Sequence, residues 1–123
     1  MSGDPYPKNV QLARAERRYV RTVASPKRWA AIANAKQGPC RVTGAAPPND
    51  LAHLIGRAQG GPDVEWNIVP LCRDAHTRFD ARDPLTCLTV CQTLTDDEYA
   101  GLVEFAGEGV FERRFGIRYE RPS

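Results

Sequence analysis

The chain has 123 residues, of which 41% are hydrophobic and 26% are charged, a composition typical of a globular domain. No apolar run approaches the roughly 20 residues of a membrane helix, and the N-terminus lacks the apolar stretch of a signal peptide. We therefore expect a cytoplasmic protein with no membrane contact, in which the four cysteines are free thiols or metal ligands rather than disulfides.

The net charge of +2 is distributed unevenly along the chain. Residues 1–36 carry +6, residues 37–92 carry −1 and residues 93–123 carry −3. A basic first third is typical of a surface that binds nucleic acid, because neutralising phosphates releases counterions. The alternative is a solvated helix face. The basic residues assigned to nucleic-acid binding here are Arg14, Arg17, Arg18, Arg21, Lys27 and Arg28.

Two helices are predicted in this basic third. Apolar residues at spacings of three and four predict the first over residues 9–24. Ser25 is a favourable N-cap and Pro26 a favourable first helical residue, so a second helix is expected over about residues 26–37.

Two short strands and a helix are predicted next. The segments DLAHLI at 50–55 and NIVPL at 67–71 indicate strands, and the sequence GGPD at 60–63 predicts a turn between them. Residues 72–82 have a helical composition that ends at Asp83-Pro84.

The last third is predicted to be mainly helical. CLTVC at 87–91 suggests a short strand or extended piece. Thr95 and Glu98 form a capping box that starts a helical region, and Gly107 and Gly109 are expected to divide it into two helices. Two successive strands followed by a run of helices predict an α+β fold.

Both histidines of the chain lie between residues 51 and 80. His76 and Asp80 stand at i and i+4 of the predicted third helix, so they share a face and suit two ligands of one divalent cation. His53, at the end of the first strand, is suited to accept a proton from water. The alternatives are a hydrogen-bonded structural histidine and an ordinary helix-surface pair.

Five short motifs occur together in this part of the chain: CRVTG at 40–44, HLIGR at 53–57, GG at 60–61, NIVPLC at 67–72 and HTRFD at 76–80. With them the sequence resembles the HNH endonucleases, also called ββα-metal or His-Me finger nucleases, and especially the small HNH proteins of bacteriophages and prophages. The resemblance implies a single nuclease domain. It would comprise basic N-terminal helices (1–38), a ββα-metal core (39–83) and a C-terminal helical extension (84–123).

The resemblance also implies an activity, the metal-dependent hydrolysis of DNA phosphodiester bonds to a 5′-phosphate and a 3′-hydroxyl. His53 would be the general base, and Asn67 would brace the hairpin loop that orients it. His76 and Asp80 would hold one divalent ion, Mg²⁺ or Mn²⁺ in the first place, with Ni²⁺ and Zn²⁺ also suitable. Arg57 would contact a phosphate, and the expected partner is double-stranded DNA.

Ala52 departs from the family pattern, which usually has a metal ligand immediately before the catalytic histidine. With two protein ligands, the ion would need water or the DNA phosphate to complete its shell. Asp50 points to the same side of a strand as Ala52, and it could substitute only if the strand bends suitably. This departure motivates the alternative function, a non-catalytic module that binds nucleic acid or protein on an HNH scaffold without its metal. A small structural domain with incidental histidines is the third alternative.

The cysteines allow two interpretations. Many HNH proteins carry a structural zinc on two C-x-x-C pairs, and this chain keeps one cysteine of each pair, Cys40 and Cys72. Cys87 and Cys91 would complete a four-thiolate zinc site. Otherwise the four cysteines are small hydrophobic side chains and packing replaces the zinc.

Overall fold

A computed structural model describes residues 22–121. Over this range the chain forms a two-stranded antiparallel sheet and five α-helices, which confirms the α+β class. The predicted helix over residues 9–24 lies mostly outside the described residues, and its last three residues, 22–24, are not helical. The elements are α1 (Pro26–Lys36), β1 (Asp50–His53), β2 (Ile68–Leu71), α2 (Arg73–Asp80), α3 (Pro84–Gln92), α4 (Asp96–Ala106) and α5 (Val110–Phe115).

Helix α1 begins at the predicted cap. The Ser25 side chain accepts a hydrogen bond from the Arg28 backbone N–H at 3.1 Å, and Pro26 occupies the first turn, where its missing N–H costs no helical hydrogen bond. Ile32 is fully buried, and the helix packs against β2. Helix α1 therefore covers one side of the hairpin.

The hairpin pairs Asp50 with Leu71 at one end and His53 with Ile68 at the other. Its two faces differ because successive side chains of a strand point in opposite directions. Ala52 enters the apolar core on the side of α2, whereas the ring of His53 stacks on Trp29 of α1. The hairpin is thus sandwiched between α1 and α2.

Residues 87–91 are helical, so the prediction of a strand there is wrong. Asp83 Oδ2 accepts hydrogen bonds from Thr86 N at 3.0 Å and from Thr86 Oγ1 at 2.6 Å, which caps the start of α3. Cys87, Val90 and Cys91 then form one buried face at helical spacing. Asp83-Pro84 therefore starts a helix as well as ending the preceding one.

The C-terminal helices follow the prediction. Thr95 and Glu98 form the capping box of α4, and Gly107, with a φ of +84°, and Gly109 separate α4 from α5. Phe79 of α2 and Phe115 of α5 are buried side by side in the core. Between residues 22 and 121, no helix combines the length and the apolar character that a membrane crossing requires.

Candidate functional site

The imidazole of His76 lies between two carboxylates. Nδ1 is 3.0 Å from Asp50 Oδ2 and Nε2 is 3.4 Å from Asp80 Oδ2. Asp50 reaches the ring from β1, because the pleat places its side chain toward α2, and Asp80 follows His76 by one helical turn. An ionised carboxylate only accepts hydrogen bonds, so the shorter contact assigns the proton of the neutral ring to Nδ1. Nε2 then has its lone pair beside Asp80.

Arg73 also holds Asp50, mainly through the same oxygen that contacts His76. The Arg73 Nε atom is 2.7 Å from Asp50 Oδ2, and Nη2 is 3.4 Å from Oδ1. Hydrogen bonds from Arg73, and after it from His76, keep the pKa of Asp50 below its ordinary value. The side chain of Asp80 is 66% exposed, against 26% for Asp50. The His76 ring is therefore braced on the Asp50 side and open to solvent on the Asp80 side.

His76 and Asp80 have the separation of two ligands of one ion. Two ligand atoms about 2.1 Å from one ion lie about 3.0 Å apart in an octahedral shell, which Mg²⁺ prefers, and about 3.4 Å apart in a tetrahedral shell. His76 Nε2 and Asp80 Oδ2 are 3.4 Å apart, so a small rotation of the exposed Asp80 side chain suits the octahedral shell. This pair fits two positions in the shell of a divalent cation. The described part of the chain contains no group of three or more His, Cys, Asp or Glu side chains arranged to hold a metal. The other positions would be filled by water or substrate oxygens.

Ala52 contributes nothing to this pair of ligands. Its side chain is 1% exposed and lies within the apolar core. The strand does not bend to bring Asp50 into the same position, because Asp50 contacts Nδ1 of His76 rather than the Nε2 side.

His53 has a carboxylate partner of its own. Its Nε2 atom is 2.9 Å from Asp63 Oδ1, and the other oxygen of Asp63 accepts a hydrogen bond from the Ala24 backbone N–H at 3.1 Å. The His53 ring also stacks on Trp29, with 5.9 Å between centroids and 5° between planes. Asp63 is buried. These contacts fix the orientation of the ring, and a proton carried by Nε2 would be donated to Asp63.

Asn67 closes the loop that carries Asp63. Its Oδ1 accepts from the Ile55 N–H at 2.8 Å, and its Nδ2 donates to the carbonyl oxygens of Ile55 and Pro62 at 3.0 Å each. The side chain is fully buried. Asn67 thereby connects the two strand ends to the turn before Asp63, which sets the position of that carboxylate.

One basic residue lies near the carboxylate partner of His53, and two more are exposed on α1. The Arg57 side chain is 58% exposed, and its Nε lies 3.7 Å from Asp63 Oδ1, with the guanidinium 5.8 Å from the centre of the Trp29 ring. Lys27 and Arg28 are exposed in the first turn of α1. Of the other residues assigned to DNA binding from the sequence, Arg14, Arg17, Arg18 and Arg21 lie outside the described residues.

The predicted site residues form two groups on opposite sides of the hairpin. His76 and Asp80 lie on the α2 side, and His53 and Arg57 lie on the α1 side. The sequence patterns do not single out Asp63, Trp29 or Arg73. Asp63 is explained there by turn chemistry and Trp29 by the apolar face of its helix, so only a ten-residue separation between His53 and Asp63 offers a signal, and it is a weak one.

The four cysteines lie in two places. The Cys40 Sγ atom accepts hydrogen bonds from Val42 N and Thr43 N at 3.4 Å each, and Thr43 Oγ1 is 3.7 Å from Cys72 Sγ. Burial would raise the pKa of Cys40, but hydrogen bonds from the Cys72, Thr43 and Val42 backbones and the Thr43 side chain outweigh it and lower the pKa to about 6. Cys87 and Cys91 are buried on α3.

The buried pair behaves as apolar side chains. Burial raises the pKa of Cys91 to about 12 and also raises the pKa of Cys87, so both thiols are protonated at neutral pH. The four-thiolate zinc arrangement is not assembled within residues 22–121.

Comparisons with known proteins add no relative. No protein-family model, no curated protein and no solved structure matches this chain. The likeness to HNH nucleases accordingly rests on the motifs between residues 40 and 80.

Proposed function

We propose that the protein is a metal-dependent endonuclease of the HNH type, with a ββα-metal core, that hydrolyses phosphodiester bonds of DNA. The observation that carries this proposal is the 3.4 Å separation of His76 Nε2 and Asp80 Oδ2 on the helix that follows a hairpin whose first strand ends in His53. The order β1, β2, α2 supports it, because the resemblance implies two strands followed by a helix in this part of the chain.

The open edge of β1 is the proposed position of the scissile phosphate. β1 pairs with β2 along one edge, and no described strand lies along the other. Side chains on the two faces of a strand lie above and below its edge. A phosphodiester along β1 would therefore face His53 from one side of the hairpin and the pair of His76 and Asp80 from the other.

His53 is the proposed general base. It takes a proton at Nδ1 from the water that attacks phosphorus, while Asp63, bonded to Nε2, holds the ring and stabilises the imidazolium that forms. The bond to the 3′-oxygen breaks, and that oxygen leaves as a hydroxyl after taking a proton from solvent. A divalent cation held by His76 and Asp80 would offset the negative charge that develops on the phosphate and the leaving oxygen.

Double-stranded DNA is the proposed partner, because an exposed arginine lies near the proposed base and two more basic residues are exposed on the adjacent helix. Lys27 and Arg28 are exposed on the helix whose Trp29 stacks on His53. Arg57 is exposed beside the same ring. Contacts from these cations to phosphates position the duplex without selecting a sequence.

A plasmid assay tests the proposal. Supercoiled plasmid incubated with the protein and Mg²⁺ or Mn²⁺ is expected to be nicked or linearised, and EDTA is expected to abolish the cleavage. Asp80→Asn should lower the rate strongly, whereas Asp97→Asn, which changes an exposed carboxylate on α4, should leave it unchanged. Cleavage that persists in EDTA, or that Asp80→Asn leaves intact, would contradict the proposal.

One observation favours a second candidate, a DNA-binding module without catalysis. Ala52 is buried and supplies no ligand, while the nearest carboxylate on β1, that of Asp50, is bonded to Arg73 and His76. This candidate predicts salt-sensitive retention of DNA with no cleavage in Mg²⁺, Mn²⁺, Ni²⁺ or Zn²⁺.

A further inference from the structure

We infer that Asp50 is a positioning residue for the metal ligand His76, acting through Nδ1 of the imidazole rather than as a ligand itself. The inference rests on the proposed function, which makes His76 a ligand. It assigns a role to the only carboxylate that β1 directs toward α2, in a chain where Ala52 cannot coordinate.

The geometry of the His76 ring shows why Asp50 acts as a positioning residue and not as a ligand. Asp50 Oδ2 lies 3.0 Å from His76 Nδ1, whereas Asp80 lies on the Nε2 side. The two nitrogens of an imidazole point to opposite sides of the ring. An oxygen bonded to Nδ1 therefore cannot also bind an ion held at Nε2, but it can fix which nitrogen carries the proton.

Arg73 holds the Asp50 carboxylate in this orientation. It contacts both oxygens, at 2.7 Å and 3.4 Å. A carboxylate that already neutralises a guanidinium is a weaker ligand for a second cation, because the two cations repel each other. The same contact restricts rotation of the carboxylate and so keeps the His76 ring in its plane.

The hydrogen bond at Nδ1 changes the basicity of Nε2, the nitrogen that would bind the ion. A hydrogen bond from Nδ1–H to a carboxylate makes the opposite nitrogen more basic and leaves its lone pair directed at the ion. Loss of such a partner lowers metal affinity by roughly 10- to 100-fold in known sites. We expect a loss of this size for Asp50→Ala and a smaller loss for Asp50→Asn, whose amide oxygen still accepts a hydrogen bond.

Two readouts on the 123-residue chain test the inference. The first is the imidazole ¹⁵N spectrum without metal, which contains two histidine rings that His53→Ala assigns. Wild-type His76 is expected to carry its proton on Nδ1, and Asp50→Ala should shift it toward a mixture with Nε2–H. The second is Mn²⁺ affinity, measured from the electron paramagnetic resonance signal of free Mn²⁺.

A matched control is Asp74→Ala, which removes a carboxylate of α2 that pairs with Arg78 at 2.9 Å and should change neither readout. Asp50 variants with wild-type tautomer and affinity would overturn the inference and leave the nuclease proposal standing. Weaker Mn²⁺ binding with an unchanged tautomer would also overturn it, since Asp50 would then be a direct ligand. A wild-type protein that binds no Mn²⁺ and cleaves no DNA would overturn both.

Discussion

Both carboxylate oxygens of Asp63 accept hydrogen bonds, Oδ1 from His53 Nε2 and Oδ2 from the Ala24 N–H. Asparagine has one acceptor and one donor in the same positions, so Asp63→Asn leaves His53 or Ala24 facing an amide N–H. If the protein is the proposed nuclease, Asp63→Asn should lower the cleavage rate by about 10²- to 10⁴-fold, because the proposed base, His53, loses its tautomer and orientation. Initial rates of plasmid nicking measure the effect.

The control for this substitution lies in the same loop. Glu65 is exposed, so Glu65→Gln should nick plasmid at the wild-type rate. DNA retention at low salt should be the same for both variants. If Asp63→Asn cleaved within twofold of wild type, Asp63 would have no role in orienting the base.

At the scale of the elements, α4 packs against the turn Glu65–Asn67. The point of contact on α4 is Gly101. A Cβ atom at Gly101 would lie 2.3 Å from Trp66 Cγ and 2.8 Å from its Cβ. Gly101→Ala should therefore lower the free energy of unfolding by about 1–3 kcal/mol through overpacking, although alanine alone would favour the helix by about 1 kcal/mol. Urea denaturation measures the change.

A double-mutant cycle identifies the cause. In a Trp66→Leu background the clash is relieved, so adding Gly101→Ala should be neutral or stabilising. A single Gly101→Ala variant that is more stable than wild type would show that α4 does not pack on this turn as described.

An element can be predicted from the sequence when its signals are local, and not when they come from tertiary contacts. Local signals define α1 and α4, because Ser25 and Thr95 cap them through residues three positions away. The β-branched residues in 87–91 favour a strand locally. The segment is nevertheless helical, because a helix buries Cys87, Val90 and Cys91 on one face, which is a tertiary effect.

The site residues likewise differ in whether local or tertiary signals determine their positions. The pair His76 and Asp80 is visible in the sequence because i,i+4 spacing fixes it on a helix. The contact of Asp50 with His76 can be predicted only in part. Strand alternation gives the side of the strand to which Asp50 points, but it does not identify His76 as the partner. The pairing of Asp63 with His53 depends on how Asn67 closes the loop, which no local pattern specifies.

For the whole molecule, Glu98 connects α1, the segment before the hairpin and α4. Its side chain is fully buried and accepts hydrogen bonds from Arg41 at 2.9 Å and 2.8 Å, from Lys36, and from the Thr95 N–H at 2.9 Å. Burial would raise its pKa, but these hydrogen bonds outweigh burial and lower the pKa from 4.5 to about 2. The carboxylate is therefore charged in the folded protein.

This shift makes stability depend on pH. A carboxyl group with a lowered folded pKa stabilises the fold above its unfolded pKa, and the contribution is lost as the pH falls from 4.5 toward about 2. Between pH 7 and pH 3 the wild-type protein should lose about 2 kcal/mol from this group. Urea denaturation at the two pH values measures the loss.

Glu98→Gln isolates the contribution of this carboxylate. The variant should be less stable at pH 7 by about 3–5 kcal/mol, because Arg41 and Lys36 lose their buried partner, and it should lack this part of the pH dependence. Glu104→Gln, an exposed change on the same helix, is the control. Equal pH dependence in wild type and Glu98→Gln would exclude Glu98 as its source.

The charge distribution along the chain makes a prediction about DNA affinity. If Arg14, Arg17, Arg18 and Arg21 bind phosphates, replacing them with Gln should reduce the slope of log affinity against log salt by about 0.9 for each phosphate that the protein no longer neutralises. Fluorescence anisotropy of a labelled duplex over a range of KCl concentrations measures the slope. An unchanged slope would assign these arginines to a solvated surface.

The most direct test of the nuclease proposal compares wild type and His53→Ala in Mn²⁺ on supercoiled plasmid, with DNA retention measured in the same buffer. We predict that both proteins retain DNA equally and that only the wild type nicks it. Equal cleavage by His53→Ala would contradict the proposed base, and equal retention without cleavage by either protein would favour the binding module.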